Sequence, residues 1–187
     1  MTTLFIKNMV CNRCIMVVQK ELDALGLDVN NIKLGEVVLT NGCSAKEKRK
    51  LEEVLNTLGF ELINDKKGRT IEKIKNVVID LVHYQDNEVK TNLSEVLRSK
   101  LHHDYNYLSN LFSEVEGTTI EKYFIAQKIE KVKELLVYDE LSLSEIAFRL
   151  NYSSVGYLSN QFKKVTGLSP SHFKKIREDR RKPLDEV

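Results

Sequence analysis

The chain has 187 residues, 42% hydrophobic and 30% charged, and its 29 Lys and Arg against 27 Asp and Glu leave a net charge of +2. That balance excludes a disordered polyelectrolyte, and no run approaches the ~20 apolar residues that a membrane-spanning helix needs. The start, Met1-Thr2-Thr3-Leu4-Phe5-Ile6-Lys7, has no basic segment followed by a long apolar one, so no signal peptide is expected and the expected location is cytoplasmic.

In chain order, Thr3–Met9 alternates like a strand, and 14–25 has helical periodicity through Val17, Val18, Leu22 and Leu25. Residues 29–34 and 36–40 read as two strands around Gly35. Residues 45–58 read as a helix with Leu51, Val54, Leu55 and Leu58 inward, and 60–63 as a last strand. This β-α-β-β-α-β order is the ferredoxin-like split unit, expected over residues 1–65 as an α+β domain. Residues 66–86 are expected to be a linker helix, with Ile71, Ile74, Val78 and Leu81 at a/d spacing. That stripe suits a helix packed on a neighbour or the seam of a homodimer through residues 70–84.

The remainder, 87–182, is expected to be all-α and contains a repeat. Residues 93–117 and 143–167, aligned at an offset of 50 without gaps, are identical at 10 of 25 positions, among them Tyr107/Tyr157, Leu108/Leu158, Asn110/Asn160 and Gly117/Gly167. Each copy reads as two short helices, the first starting at Ser94 or Ser144 as N-cap. The second carries Leu108 and Phe112, or Leu158, Phe162 and Val165, on its inner face and stops at a glycine. Two helices around a tight turn make a helix-turn-helix unit. A long amphipathic helix at 119–137 joins the copies, and Ser169-Pro170 opens a last helix with Phe173 and Ile176 inward.

Charge separates the copies: residues 84–121 hold three basic and seven acidic side chains, and 158–182 hold eight basic and two acidic. Phosphate neutralisation supplies most nucleic-acid affinity, so the second copy is the expected anchor, with Lys163 and Lys164 as phosphate contacts and Arg177, Arg180, Arg181 and Lys182 as further basic residues. Adjacent His102 and His103 read as surface or turn residues.

The repeat resembles the DNA-binding domain of the AraC family of bacterial transcription regulators. The resemblance rests on Ile146-Ala147, Tyr157-Leu158-Ser159-Asn160-Gln161-Phe162-Lys163-Lys164, Gly167, Ser169-Pro170 and Phe173, with Lys128-Ile129 where the family usually has Arg-Ile. It implies a regulator that reads double-stranded DNA, with RNA polymerase as a further candidate partner. By position in the motif, the implied base readers are Asn106, Ser109 and Asn110 in the first copy, and Val155, Gly156, Ser159 and Asn160 in the second. The sequence departs from the family at Asn110 and Asn160, where Arg is common. It departs also at Ser113-Glu114, which replace a Lys pair, and at Asn151-Tyr152, which replace Gly-Phe.

Two of the three cysteines form Cys11-x-x-Cys14 between the first strand and helix, too few for a disulfide framework. A helix N-terminus is expected to lower their pKa, and two soft thiolates suit Cu(I) or part of a Zn site. The front domain resembles the heavy-metal-associated domain of copper chaperones and metal-transport ATPases, through Met9-x-Cys11-x-x-Cys14, the element order and Gly59-Phe60, with Asn8 where that family commonly has Gly. The resemblance implies that Cys11 and Cys14 hold a soft metal, Cu(I) or another such as Zn. A thiol-exchange pair, a structural Zn shared with a partner chain and a pair that only packs stay open as alternatives. Cys43 is expected to lie at the other end of the domain as an unused thiol.

No catalytic constellation is found, so no enzyme is expected. The leading expectation is a regulator responsive to a thiophilic metal. The second is a metal-handling or partner-docking module that its DNA domain only localises.

Overall fold

The computed structural model describes residues 2–84 and 92–176, apart from the side chain of Ile176. The chain divides into two compact units, Met1–Asn76 and Val77–Val187.

The first unit runs β1 (Thr2–Lys7), α1 (Asn12–Ala24), β2 (Val29–Lys33), β3 (Glu36–Leu39), α2 (Ala45–Thr57), β4 (Glu61–Leu62) and the start of α3 (Lys66–Ile79). Its strands form one antiparallel sheet in the order β2-β3-β1-β4, with Leu4 opposite Val37 and Ile6 opposite Leu62. Alternation along β1 turns Leu4 and Ile6 to one face. There they are buried with Val18 and Leu22 of α1 and Leu51 and Leu55 of α2. Gly35 turns β2 into β3 at φ +75°, a backbone conformation that favours glycine, and a Cβ there would displace the Asn76 side chain. Although expected inward, Val17, at the edge of the α1 apolar stripe, and Leu58, the C-cap that follows α2, are 37% and 43% exposed.

Phe5 points to the other face of the sheet. The Arg69 guanidinium lies 4.9 Å and the Lys73 ammonium 5.2 Å from its ring centre, and Asn76 Nδ2 donates to the Leu34 carbonyl at 3.0 Å. Residues 66–76, expected within a linker, therefore cover the sheet face that α1 and α2 leave open. Ile71, Ile74 and Val78 are 3%, 0% and 0% exposed in the single chain. These three positions of the stripe are packed within the chain, and Leu81 is half-buried.

In the second unit, α3 passes into a π-helical turn at Asp80–Tyr84. Then come α4 (Leu93–Leu101), α5 (Tyr105–Glu116), α6 (Ile120–Tyr138), α7 (Leu143–Arg149), α8 (Val155–Thr166) and α9 (Pro170–Ile176). The long α6 is the shared wall. Its Ile129, Val132, Leu135 and Leu136 are buried with Ile146, Leu150, Leu158, Phe162 and Phe173 of the second copy. The N-cap of the first helix of each copy lies two residues before the expected serine, at Asn92 and Ser142. At α7 the reason is a capping box: Glu145 N–H donates to Ser142 Oγ at 3.3 Å, and Ser142 N–H to Glu145 Oε2 at 2.7 Å. Hydrogen bonds donated to the carboxylate by the Ser142 hydroxyl and by the Ser142 N–H hold the Glu145 carboxyl below its ordinary pKa. Val165, expected on the inner face, is 49% exposed.

Among the described residues, no helix is long and apolar enough to cross a membrane.

Candidate nucleic-acid interface and thiol site

The repeat in the sequence is a repeat in space. The second helix of each copy, α5 or α8, spans 12 residues. Asp104 caps α5 by accepting from Asn106 N–H at 2.8 Å, and Ser154 caps α8 by accepting from Tyr157 N–H at 3.0 Å. Both end on a left-handed glycine, Gly117 and Gly167, which lets the chain leave the helix at once.

Helical periodicity sorts each helix into two faces. Leu108, Leu111 and Phe112 of α5, and Leu158 and Phe162 of α8, are buried. On α5 the exposed side carries Asn106, Asn110 and Glu114, with Ser109 and Ser113 half-buried. On α8 it carries Gly156, Asn160, Lys163 and Lys164, which lie four, three and one residues apart and share one face. Ser159 is half-buried beside them, and Val155 is turned partly into the core. Gly156 is the second residue of α8, and a Cβ there would meet only Ser154 Oγ at 3.8 Å, so nothing within the chain demands glycine. Lys163 and Lys164 also sit in the last turn, where the helix dipole favours cations. Arg177, Arg180, Arg181 and Lys182 lie outside the described residues, and exposed His102 is the left-handed C-cap of α4.

Each of these two helices is tied to α6 by different chemistry. Tyr105 O–H of α5 donates to Glu121 Oε1 of α6, which holds the Glu121 carboxyl below its usual pKa. On the other side, Lys128 Nζ of α6 lies 3.9 Å from the Tyr152 ring centre, and Tyr152 O–H donates to Gln161 Oε1 of α8 at 2.7 Å. Desolvation brings the Lys128 ammonium down to a pKa of about 8. This bridge joins three segments and leaves no spacing signal in the sequence.

The thiols stand where strand meets helix. Cys11 is the N-cap of α1 and Cys14 is in its first turn, with the two Sγ atoms 3.4 Å apart. Burial pushes the Cys14 thiol above its ordinary pKa and outweighs the lowering by its backbone hydrogen bonds. This corrects the expectation of a lowered value at that position. Asn8 takes φ +70°, which explains why a related loop would use glycine there and why Asn serves. Its N–H donates to Glu72 Oε1 at 3.1 Å, and its Nδ2 to the Gly59 carbonyl at 2.9 Å. Met9 is fully buried, so the loop enters the thiol pair from two fixed points. Cys43 is half-buried against the core of this unit. Among the described residues, no three His, Cys, Asp or Glu side chains gather as a metal cluster. Cys11 and Cys14 are two thiol donors on one loop, the donor type that a thiophilic ion takes.

Residues 97–176 match the family model described as a helix-turn-helix domain. The uncharacterized HTH-type transcriptional regulator YtdP of Bacillus subtilis (strain 168) is 27% identical over 134 residues, 68% of this chain and 17% of that protein. The melibiose operon regulatory protein of Escherichia coli (strain K12) is 30% identical over 76 residues, 41% of this chain and 25% of that protein. The chain thus spans a quarter or less of the length of these two relatives. The C-terminal domain of AraT, a response regulator from Geobacillus stearothermophilus, shares the fold with a TM-score of 0.51 at 23% identity, covering 63% of this chain and 95% of that domain.

Proposed function

We propose that this chain, in which residues 97–176 form an AraC-type helix-turn-helix DNA-binding domain, is a cytoplasmic bacterial transcription regulator that reads a specific double-stranded sequence. The observation that carries the proposal is the pair of equivalent helices α5 and α8. Each is capped, closed by glycine and buried on one side, and each presents small polar groups on the other. A helix of this kind fits the ~12 Å major groove, and two on one polypeptide can serve half-sites a helical turn, ~34 Å, apart. Asn106, Ser109 and Asn110 on α5, and Val155, Gly156, Ser159 and Asn160 on α8, take the base-reading roles. Lys163 and Lys164 anchor phosphates, and RNA polymerase is the partner through which such a regulator acts.

Selection of bound duplexes from a random pool tests this reading. The wild type is expected to enrich one motif. Asn160→Ala is expected to relax one position of it, since a bidentate Asn–adenine pair discriminates by about 5- to 150-fold. Equal weakening on every duplex would show that Asn160 does not read bases.

The finer reading concerns the front unit. Its split β-α-β order and its thiol loop favour a ferredoxin-like, heavy-metal-associated domain holding Cu(I) between Cys11 and Cys14. A metal can switch DNA affinity only by interacting differently with two states. Within the front unit the thiol loop is hydrogen-bonded to α3, Asn8 N–H donating to Glu72 Oε1 at 3.1 Å. Anaerobic Cu(I) titration against a competing chelator is expected to give tight 1:1 binding that Cys11→Ser/Cys14→Ser abolishes. Binding that the double variant retains would remove the metal reading. Metal binding with unchanged DNA affinity would favour the alternative, a metal-handling or partner-docking module that its DNA domain localises.

A further inference from the structure

In a DNA-binding protein a lysine is ordinarily read as a phosphate contact. Lys128 is different. It lies half-buried on α6, and its ammonium faces the rings of Tyr152 at 3.9 Å and Phe124 at 5.5 Å. Tyr152 belongs to the turn between α7 and α8. Its ring is buried, its hydroxyl reaches Gln161 on α8 at 2.7 Å, and its centroid lies 6.1 Å from that of Tyr157, also on α8. A cation on an aromatic face gains most when it is desolvated. A side chain held by a hydrogen bond has fewer rotamers to lose when DNA arrives.

The bridge is confined to the basic copy. At an offset of 50, Gln161 corresponds to Leu111, which is buried and apolar, and Tyr152 corresponds to His102, which is exposed. The acidic copy ties its helix to α6 through Tyr105 and Glu121 instead.

We propose that Lys128 is a positioning residue for DNA recognition: it fixes the Tyr152 ring, and through the Tyr152–Gln161 hydrogen bond it sets the orientation of α8 without touching DNA. The inference rests on the DNA-binding reading above and adds a residue whose contribution passes through two others.

The test uses the full chain and the duplex selected by the wild type. Affinity is measured over a salt series for Lys128→Met, Lys128→Arg, Tyr152→Phe and the double variant Lys128→Met/Tyr152→Phe, with thermal denaturation of each. Lys128→Met and Tyr152→Phe are each expected to weaken binding about 5-fold. Their salt slope should match the wild type, because no phosphate contact is lost. Lys128→Arg keeps a cation on the ring and is expected to restore affinity. The double variant is expected to lose no more than the weaker single one, since both act along one chain of contacts. A slope shallower by about 0.9 in Lys128→Met would place the lysine on a phosphate and overturn the proposal. So would strictly additive losses, or wild-type affinity in Lys128→Met. Should Lys128→Met unfold, Tyr152→Phe and Lys128→Arg still decide, because a bridge that does not position α8 leaves Tyr152→Phe at wild-type affinity. A wild type that prefers no duplex would overturn the DNA-binding reading itself, and this inference with it.

Discussion

Replacing Lys163 and Lys164 together by Ala is expected to weaken binding to every duplex about 30-fold at 0.15 M salt and to flatten the dependence of log K on log salt by about 1.8. Both lysines are exposed on the face of α8 that carries Gly156 and Asn160. Two neutralised phosphates release their counterions whatever the base sequence, so the loss should be the same for selected and random DNA. The matching positions of α5, Ser113 and Glu114, hold no cation. Substituting those two by Ala should leave the slope unchanged or steepen it slightly. Fluorescence anisotropy across a salt series measures both quantities. An unchanged slope in the lysine variant would assign these residues to the helix dipole, which they also suit as last-turn cations.

What the sequence made legible was local. The 50-residue repeat located α5 and α8, because Leu108, Phe112, Leu158, Phe162 and the closing glycines recur at helical spacing. The glycine substitutions were legible as departures but not as geometry. Asn8 and Asn151 stand where glycine is usual, and both take positive φ, at 70° and 53°. Asn tolerates that region better than other non-glycine residues, so the loops survive the exchange. The start of α7 was misplaced because Ser142 and Ser144 are both good caps, and only Glu145, three residues after Ser142, decides between them.

Long-range pairing was not legible. An apolar stripe such as Ile71, Ile74 and Val78 reports that a helix buries one side, not what covers it. The packing of residues 66–76 on the sheet appears only when Phe5, Arg69 and Asn76 are seen together. The Lys128–Tyr152–Gln161 bridge likewise spans α6, a turn and α8. The thiol pair was legible as a motif, but the rise in the Cys14 pKa depends on burial that no spacing encodes.

Phe162 and Val165 separate the real inner face of α8 from the one its sequence suggests. Phe162 is fully buried and meets Phe173 edge-on, with ring centroids 5.5 Å apart at 75°. Phe162→Ala removes that contact and leaves a cavity among Ile129, Val132, Leu158 and Phe173, at an expected cost of about 3–5 kcal/mol. Against the ~5–15 kcal/mol that holds a typical domain together, such a loss moves the urea midpoint of the helical unit by about 2 M. It should remove specific DNA binding along with α8. Val165 is 49% exposed, so Val165→Ala is expected to stay within about 0.5 kcal/mol of the wild type. Equal destabilisation by the two substitutions would mean that α8 is rotated from the orientation described, and the exposed face assigned to Asn160, Lys163 and Lys164 would rotate with it.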